Sequence, residues 1–278
     1  MRLKDVGRSR NVEDRRRMGG GRASARIGGV GLLLVLAIGY FAGIDVTPLL
    51  EDQAGPQVAP REVSAADEHA AAFSAQVLAT TETVWSQVFP EQLGRAYRPP
   101  VLVLFAGVTQ SPCGGASGAT GPFYCPADQK AYLDTEFFDT LARKLGARGD
   151  FAAAYVIAHE VAHHVQNELG ILPEVNRMRQ AVGQAEANAL TVRLELQADC
   201  LAGVWARAVD GLLEPGDLEE ALNAAKRIGD DHLQRQAGRV PQPHTFTHGT
   251  SEQRARWFAR GYEGGDVARC DTFGAERL

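Results

Sequence analysis

Apolar and polar positions follow several distinct patterns along this chain. "IGGVGLLLVLAIGYFAGI", residues 27–44, is apolar throughout and uncharged. Such a run is just long enough to predict a membrane-spanning helix. Residues 64–89 place Phe73, Val77, Val84 and Val88 on one helical face and stop at Pro90. "PPVLVLFAG", bounded by Pro and Gly, predicts a buried strand, and "GPFYCPADQKAYLD" predicts two more around a turn. "TEFFDTLARKLGARG" predicts a helix with Thr135 as N-cap and Gly146 near its end. "DFAAAYVIAHEVAHHVQNELG" is apolar in its first half and unbroken by Pro or Gly between a capping Asp150 and a terminating Gly170. Long helices are predicted from about Glu174 to Val209 and from about Asp217 to Gln236, and a short one over "SEQRARWFARGY". No repeat interrupts this order. The fold class expected is α+β, mainly helical, with a small sheet beside the histidine-bearing helix.

Charge divides the chain further. The whole of its 278 residues carries −5, but residues 1–26 hold nine Arg/Lys against three Asp/Glu, which leaves −11 for the rest. An acidic body argues against nucleic acid as a partner. Basic residues ahead of the apolar run predict a cytoplasmic N-terminus and an extracytoplasmic body, by the positive-inside rule. The expected organisation is a basic cytoplasmic tail at 1–26, a single-pass membrane anchor at 27–44, a Pro-rich linker at 45–63 and a folded domain at 64–278. A cleaved signal peptide, with Ala37 and Gly39 as small residues near the cut, is the competing reading. The "RRR" triplet is not followed by the residues of a twin-arginine signal.

Four cysteines fit an oxidising compartment. Cys113 and Cys125 bracket the loop "CGGASGATGPFYC", where a disulfide would close a short, glycine-rich segment. Cys200 and Cys270 are left to pair or to stay as buried thiols. None of the spacings suits a Cys zinc site. The loop also lacks the Lys-Ser/Thr ending of a phosphate-binding loop.

The chemistry concentrates in "AHEVAHHVQNELG". His159 and His163 lie one helical turn apart on one face, so both imidazoles can share a metal ion. Glu160 between them is placed to take a proton from water in an H-E-x-x-H arrangement. His164 points away by about 100° and is a solvated or partner-bound residue rather than a ligand. The bland alternative is a polar helix face, but the apolar lead-in implies a buried helix, where His and Glu need partners. A catalytic zinc needs a third protein ligand and an open position. "RLELQADCLAGVWA" offers Glu195 as that ligand, with Asp199 one turn on, behind the metal, accepting from the far nitrogen of His159. Asp199 as the ligand is the alternative. Glu168, Glu174 and Glu186 read as solvated helix charges.

"HEVAHHVQ" followed by "ELQADCLAGVWA" resembles the H-E-x-x-H plus E-x-x-x-D pattern of gluzincin metallopeptidases. More closely, with "CGGASGATGPFYCPADQKAYLD" and "HGTSEQRARWFARGY", it resembles the bacterial neutral zinc metallopeptidase family, membrane-anchored proteins of poorly defined function. The resemblance implies a zincin-like domain, Zn2+ held by His159, His163 and Glu195, and Glu160 as base. It supplies no substrate.

The expected activity is hydrolysis of a peptide bond in a peptide or protein substrate, by zinc-activated water with Glu160 as general base. His248, in "FTHGTSEQR", is the expected donor to the tetrahedral oxyanion, with Tyr262 and His244 as fallbacks. Arg254 is expected to hold Asp199 or the C-terminal helix. Residues 128–134 are a candidate sheet edge for substrate, by main-chain pairing, with an ordinary protected edge as the stronger alternative. Two other functions fit parts of the pattern. One is a non-catalytic envelope interaction protein with a structural zinc, which would have no need of Glu160. The other is a zinc hydrolase acting on a non-peptide amide, such as cell-wall peptide crosslinks.

Overall fold

The computed structural model describes residues 1–17, 62–117 and 121–278. The apolar run at 27–44 and almost all of the 45–63 linker lie outside the described residues, and among the described residues no helix is long and apolar enough to cross a membrane. Residues 1–15 and 63–278 form one compact unit. It is mainly helical with small sheets, in line with the α+β expectation.

The expected tail at 1–26 is not wholly separate from the domain. Its first fifteen residues belong to the folded unit. Strand β1 (Val12–Asp14) pairs in parallel with β2 (Val101–Phe105), with Val12 opposite Leu102. The Leu102 N–H donates to the Asn11 carbonyl, and Arg15 N–H to that of Leu104. Gln76 donates to the carbonyls of Leu3 and Val6. The Met1 ammonium lies 2.9 Å from both Asp150 and Glu214. Arg2, Lys4, Arg8 and Arg10 are exposed, while Met1 and Leu3 are buried. With so few inward positions, no apolar period rises above the basic background.

The sheet has the order β1-β2-β6-β5. Strand β6 (Lys130–Asp134) runs parallel to β2, and β5 (Phe123–Cys125) runs antiparallel to β6. The expected edge at 128–134 is therefore interior, and β1 and β5 are the edges. Ala131, Tyr132, Leu133 and Asp134 are all buried, as a strand with two neighbours requires. The polar flank that suggested an edge is the preceding turn, and Lys130 reaches over to Glu13 of β1 at 2.7 Å. Strands β3 (Val108–Ser111) and β4 (Gly114–Ser117) form a separate hairpin, tied to β5 by the Cys113–Cys125 disulfide.

Helix α1 (Ala65–Leu93) starts with a capping box between Ser64 and Asp67 and passes through Pro90. Pro90 lies in the last turn, where only one ladder bond is lost, and left-handed Gly94 ends the helix. Helix α2 (Phe137–Arg143) starts later than expected, because the Thr135 hydroxyl donates to Asp67 instead of capping it. Helix α3 (Asp150–Glu168) is buried from Phe151 to Gln166. The helix expected over 174–209 is two, α4 (Ile171–Gln180) and α5 (Gln184–Ala208), with extended Gly183 as the α5 N-cap. That expected over 217–236 is also two, α6 (Asp217–Arg227) and α7 (Asp230–Gln236). They break at Gly229, where a Cβ would lie 2.4 Å from the Ser251 nitrogen. Helix α8 (Ser251–Gly264) begins at that contact, with Thr250 and Gln253 forming its capping box.

Helices α3, α5 and α8 build the centre. Gly203 of α5 and Gly261 of α8 bring the two backbones together, since a Cβ on either would lie about 2 Å from a facing carbonyl oxygen. In the same core Phe151 stacks on Trp205 and Tyr155 meets Phe258 edge to face. The Cys200–Cys270 disulfide fastens the segment after α8 to α5.

Candidate metal centre

Helix α3 presents His159, Glu160 and His163, and α5 presents Glu195 and Asp199. The ligand atoms of His159, His163 and Glu195 all lie within 4.8 Å of one another. His159 Nε2 is 3.1 Å and His163 Nε2 3.5 Å from the Glu195 carboxylate. Both histidines and Glu160 are buried.

The far nitrogens are also engaged. His159 Nδ1 donates to Asp199 Oδ1 at 2.9 Å, and His163 Nδ1 to Gln166 Oε1 at 2.9 Å. Both Nε2 atoms are thus the ones turned toward Glu195, as shared metal ligation needs. Asp199 is itself held at 2.9 Å by Arg254 Nε and by a second Arg254 nitrogen, and at 2.6 Å by the Tyr155 hydroxyl. Asp199 thus stands behind His159, and Arg254 holds Asp199.

Electrostatics favour a cation here. Burial alone would lower the His159 pKa, but Asp199 and Glu195 outweigh it and raise it to about 10. Burial would raise the Glu195 pKa, but His163 and His159 hold it well below the usual carboxylate range. Burial pushes the Glu160 pKa up, partly offset by the two histidines, which makes it a stronger proton acceptor than a solvated glutamate. The two imidazoles and one carboxylate form an N/O donor set that fits zinc.

The three residues open on a cleft of about 470 Å³. Phe123 and Tyr124 of the β5 edge line it, as do Glu160, Arg179 and His248. Asp230 fixes His248: its carboxylate accepts from the backbone N–H of Thr247, His248 and Gly249, and lies 3.3 Å from His248 Nδ1. The fallbacks are not brought to the cleft. Tyr262 donates to Asp210, and the His244 carbonyl accepts from Asn188. His164 is buried, not solvated, and bridges the Tyr124 hydroxyl and the Arg98 carbonyl. Glu168 pairs with Arg98, and Glu174 with Arg177. Sequence reasoning missed Gln166 and Asp230. Gln166 lay inside the quoted motif, and Asp230 was hidden inside one long predicted helix.

Two helices thus converge two histidines and a downstream glutamate on one point, with a second glutamate beside them in a cleft. The chain belongs to the family described as "Putative neutral zinc metallopeptidase", which matches residues 1–273. It is 51% identical to YpfJ, an uncharacterized protein of Escherichia coli K12, over 96% of each chain. It is 43% identical to Rv2575, an uncharacterized protein of Mycobacterium tuberculosis H37Rv, over 72% of this chain and 69% of the other. No solved structure matches the chain significantly.

Proposed function

We propose that this protein is a zinc-dependent peptidase, with zinc held by His159, His163 and Glu195. The observation that carries the reading is the convergence of these ligand atoms, with both Nδ1 atoms tied back, beside a buried Glu160 on an open cleft. A zinc ion held there would supply Lewis acidity toward the scissile carbonyl and toward water. Glu160 takes the proton of the attacking water and passes it to the leaving amine. His248, oriented by Asp230, donates to the oxyanion. Strand β5, terminal in the sheet and lining the cleft with Phe123 and Tyr124, is the place for a substrate backbone to pair. A structural zinc would need a closed set of four ligands, and the cluster holds three among the described residues.

For location, the reading is attachment to the cell membrane through residues 27–44, with the body in an oxidising, extracytoplasmic compartment. The two disulfides support that compartment. The packing of residues 1–15 supports one change of topology: these residues belong on the same side as the body.

The test uses the full chain, because β1 completes the sheet. Zinc content is measured as purified, and cleavage of a mixed peptide library is compared with that of Glu160→Gln. One zinc per chain in both proteins, with cleavage only in the first, is expected. Loss of zinc in Glu160→Gln would show that the base is misassigned. A folded chain that takes up no zinc would sink the proposal.

A further inference from the structure

His163 is oriented differently from its partner. His159 leans on a carboxylate, Asp199, whereas His163 leans on a chain of neutral amides. His163 Nδ1 meets Gln166 Oε1 at 2.9 Å, Gln166 Nε2 meets Gln197 Oε1 at 3.0 Å, and Gln197 Nε2 meets the Cys270 carbonyl at 3.0 Å. Gln166 Nε2 also donates to the Leu194 carbonyl at 2.7 Å. Gln166 is fully buried, and Gln197 is nearly so.

The chain has a forced direction. A backbone carbonyl can only accept, so Gln197 must present its N–H to Cys270. Its oxygen then faces Gln166, which must present an N–H in turn. The Leu194 carbonyl imposes the same orientation on Gln166. That leaves the Gln166 oxygen facing His163, so His163 must donate from Nδ1. Reversing any amide would set two donors or two acceptors face to face in a buried site, at about 1–3 kcal/mol per unsatisfied group. The Cys270 carbonyl is fixed in place by the disulfide to Cys200, one turn beyond Gln197 on α5.

We propose that Gln166 and Gln197 are positioning residues that transmit this direction to His163, holding Nδ1 protonated and Nε2 free for the metal. The role toward zinc rests on the proposed function; the hydrogen-bond relay does not. A neutral relay also orients this ligand without adding a second buried anion behind the site.

The test uses the 15N-histidine-labelled full chain and its Gln166→Leu and Gln197→Leu variants. Two quantities are read: the slowly exchanging Nδ1–H signal of His163, assigned with a His163→Gln reference, and zinc affinity by competition with a chromophoric chelator. Loss of the Nδ1–H signal is expected in Gln166→Leu, with His159 unchanged and zinc binding weakened roughly 10- to 100-fold. Gln197→Leu should shift the same signal and weaken binding less, because Leu194 still holds Gln166. If Gln166→Leu does not fold, Gln197→Leu decides. An unchanged His163 signal in the folded variants would overturn the relay. If the unsubstituted chain takes up no zinc, the metal reading fails, and the His163 signal still decides the relay.

Discussion

Arg254 and Asp199 give the sharpest energetic test of the site. Both side chains are almost wholly buried, at 2% and 0% exposure, and two nitrogens of Arg254 grip both oxygens of Asp199. Burial would raise the Asp199 pKa, but Arg254 first and His159 second hold it at about 2, against an ordinary 3.8. That difference corresponds to roughly 2–3 kcal/mol in favour of the charged form. Replacing Arg254 with Met removes the cation and leaves the carboxylate buried with only Tyr155 and His159. A broken buried pair costs about 3–5 kcal/mol, the same order as the pKa difference. Asp199→Leu strands the guanidinium instead and should cost a similar amount. The double variant removes both charges, so it should cost at least about 2 kcal/mol less than the two singles together. The assay is denaturant unfolding of the chelator-treated full chain, carried round the whole cycle. A cost below about 1 kcal/mol for Arg254→Met, or additive singles, would refute the reasoning, because only a water-screened pair behaves so.

Three further outcomes follow from the packing. Gly261→Ala puts a Cβ 1.9 Å from the Cys200 carbonyl oxygen, so it should lower stability by about 1–3 kcal/mol or more, while Gly183→Ala, which meets nothing within 4 Å, should be near neutral in the same thermal melt. Opening Cys200–Cys270, which spans 70 residues, should cost about 4 kcal/mol, and Cys113–Cys125, which spans 12, about 3; equal unfolding midpoints with and without reductant would contradict both. A zero-length carbodiimide crosslink should join Glu13 to Lys130, 2.7 Å apart, in intact membranes as well as in the purified chain; a crosslink seen only after purification would put residues 1–15 and the body on opposite sides of the membrane.

The grouping of the candidate ligands was readable in the sequence because its geometry is mostly local. His159, Glu160 and His163 share one helix, and so do Glu195 and Asp199, so a 3.6-residue repeat already places each set on a face. What joins the two helices is not local. Gln166 meets Gln197 across the packing of α3 on α5, and Arg254 meets Asp199 where Gly203 and Gly261 let α5 and α8 touch. Asp230 reaches His248 only because Gly229 breaks a helix that apolar spacing alone would continue. Backbone approach of this kind leaves a glycine in the sequence, but a glycine does not say which partner it admits.

Residues 1–15 show the same limit at larger scale. Their charge and the apolar run after them are strong local signals, and both speak for a tail across a membrane. The opposing signal is spread over a handful of positions: Leu3 buried, Val12 opposite Leu102, Lys130 reaching Glu13. None of these is periodic, so no window along the chain detects them. Taken together they support the proposed placement of residues 1–15 beside the body, because they are specific bonds within the sheet that carries the cleft edge. Strand β1 pairs with β2, β2 with β6, and β6 with β5. A chain with its first residues held across a bilayer would leave β2 unpaired on that side and expose the buried residues beneath it. The order of the strands therefore ties the fate of the first fifteen residues to the edge on which a substrate would lie.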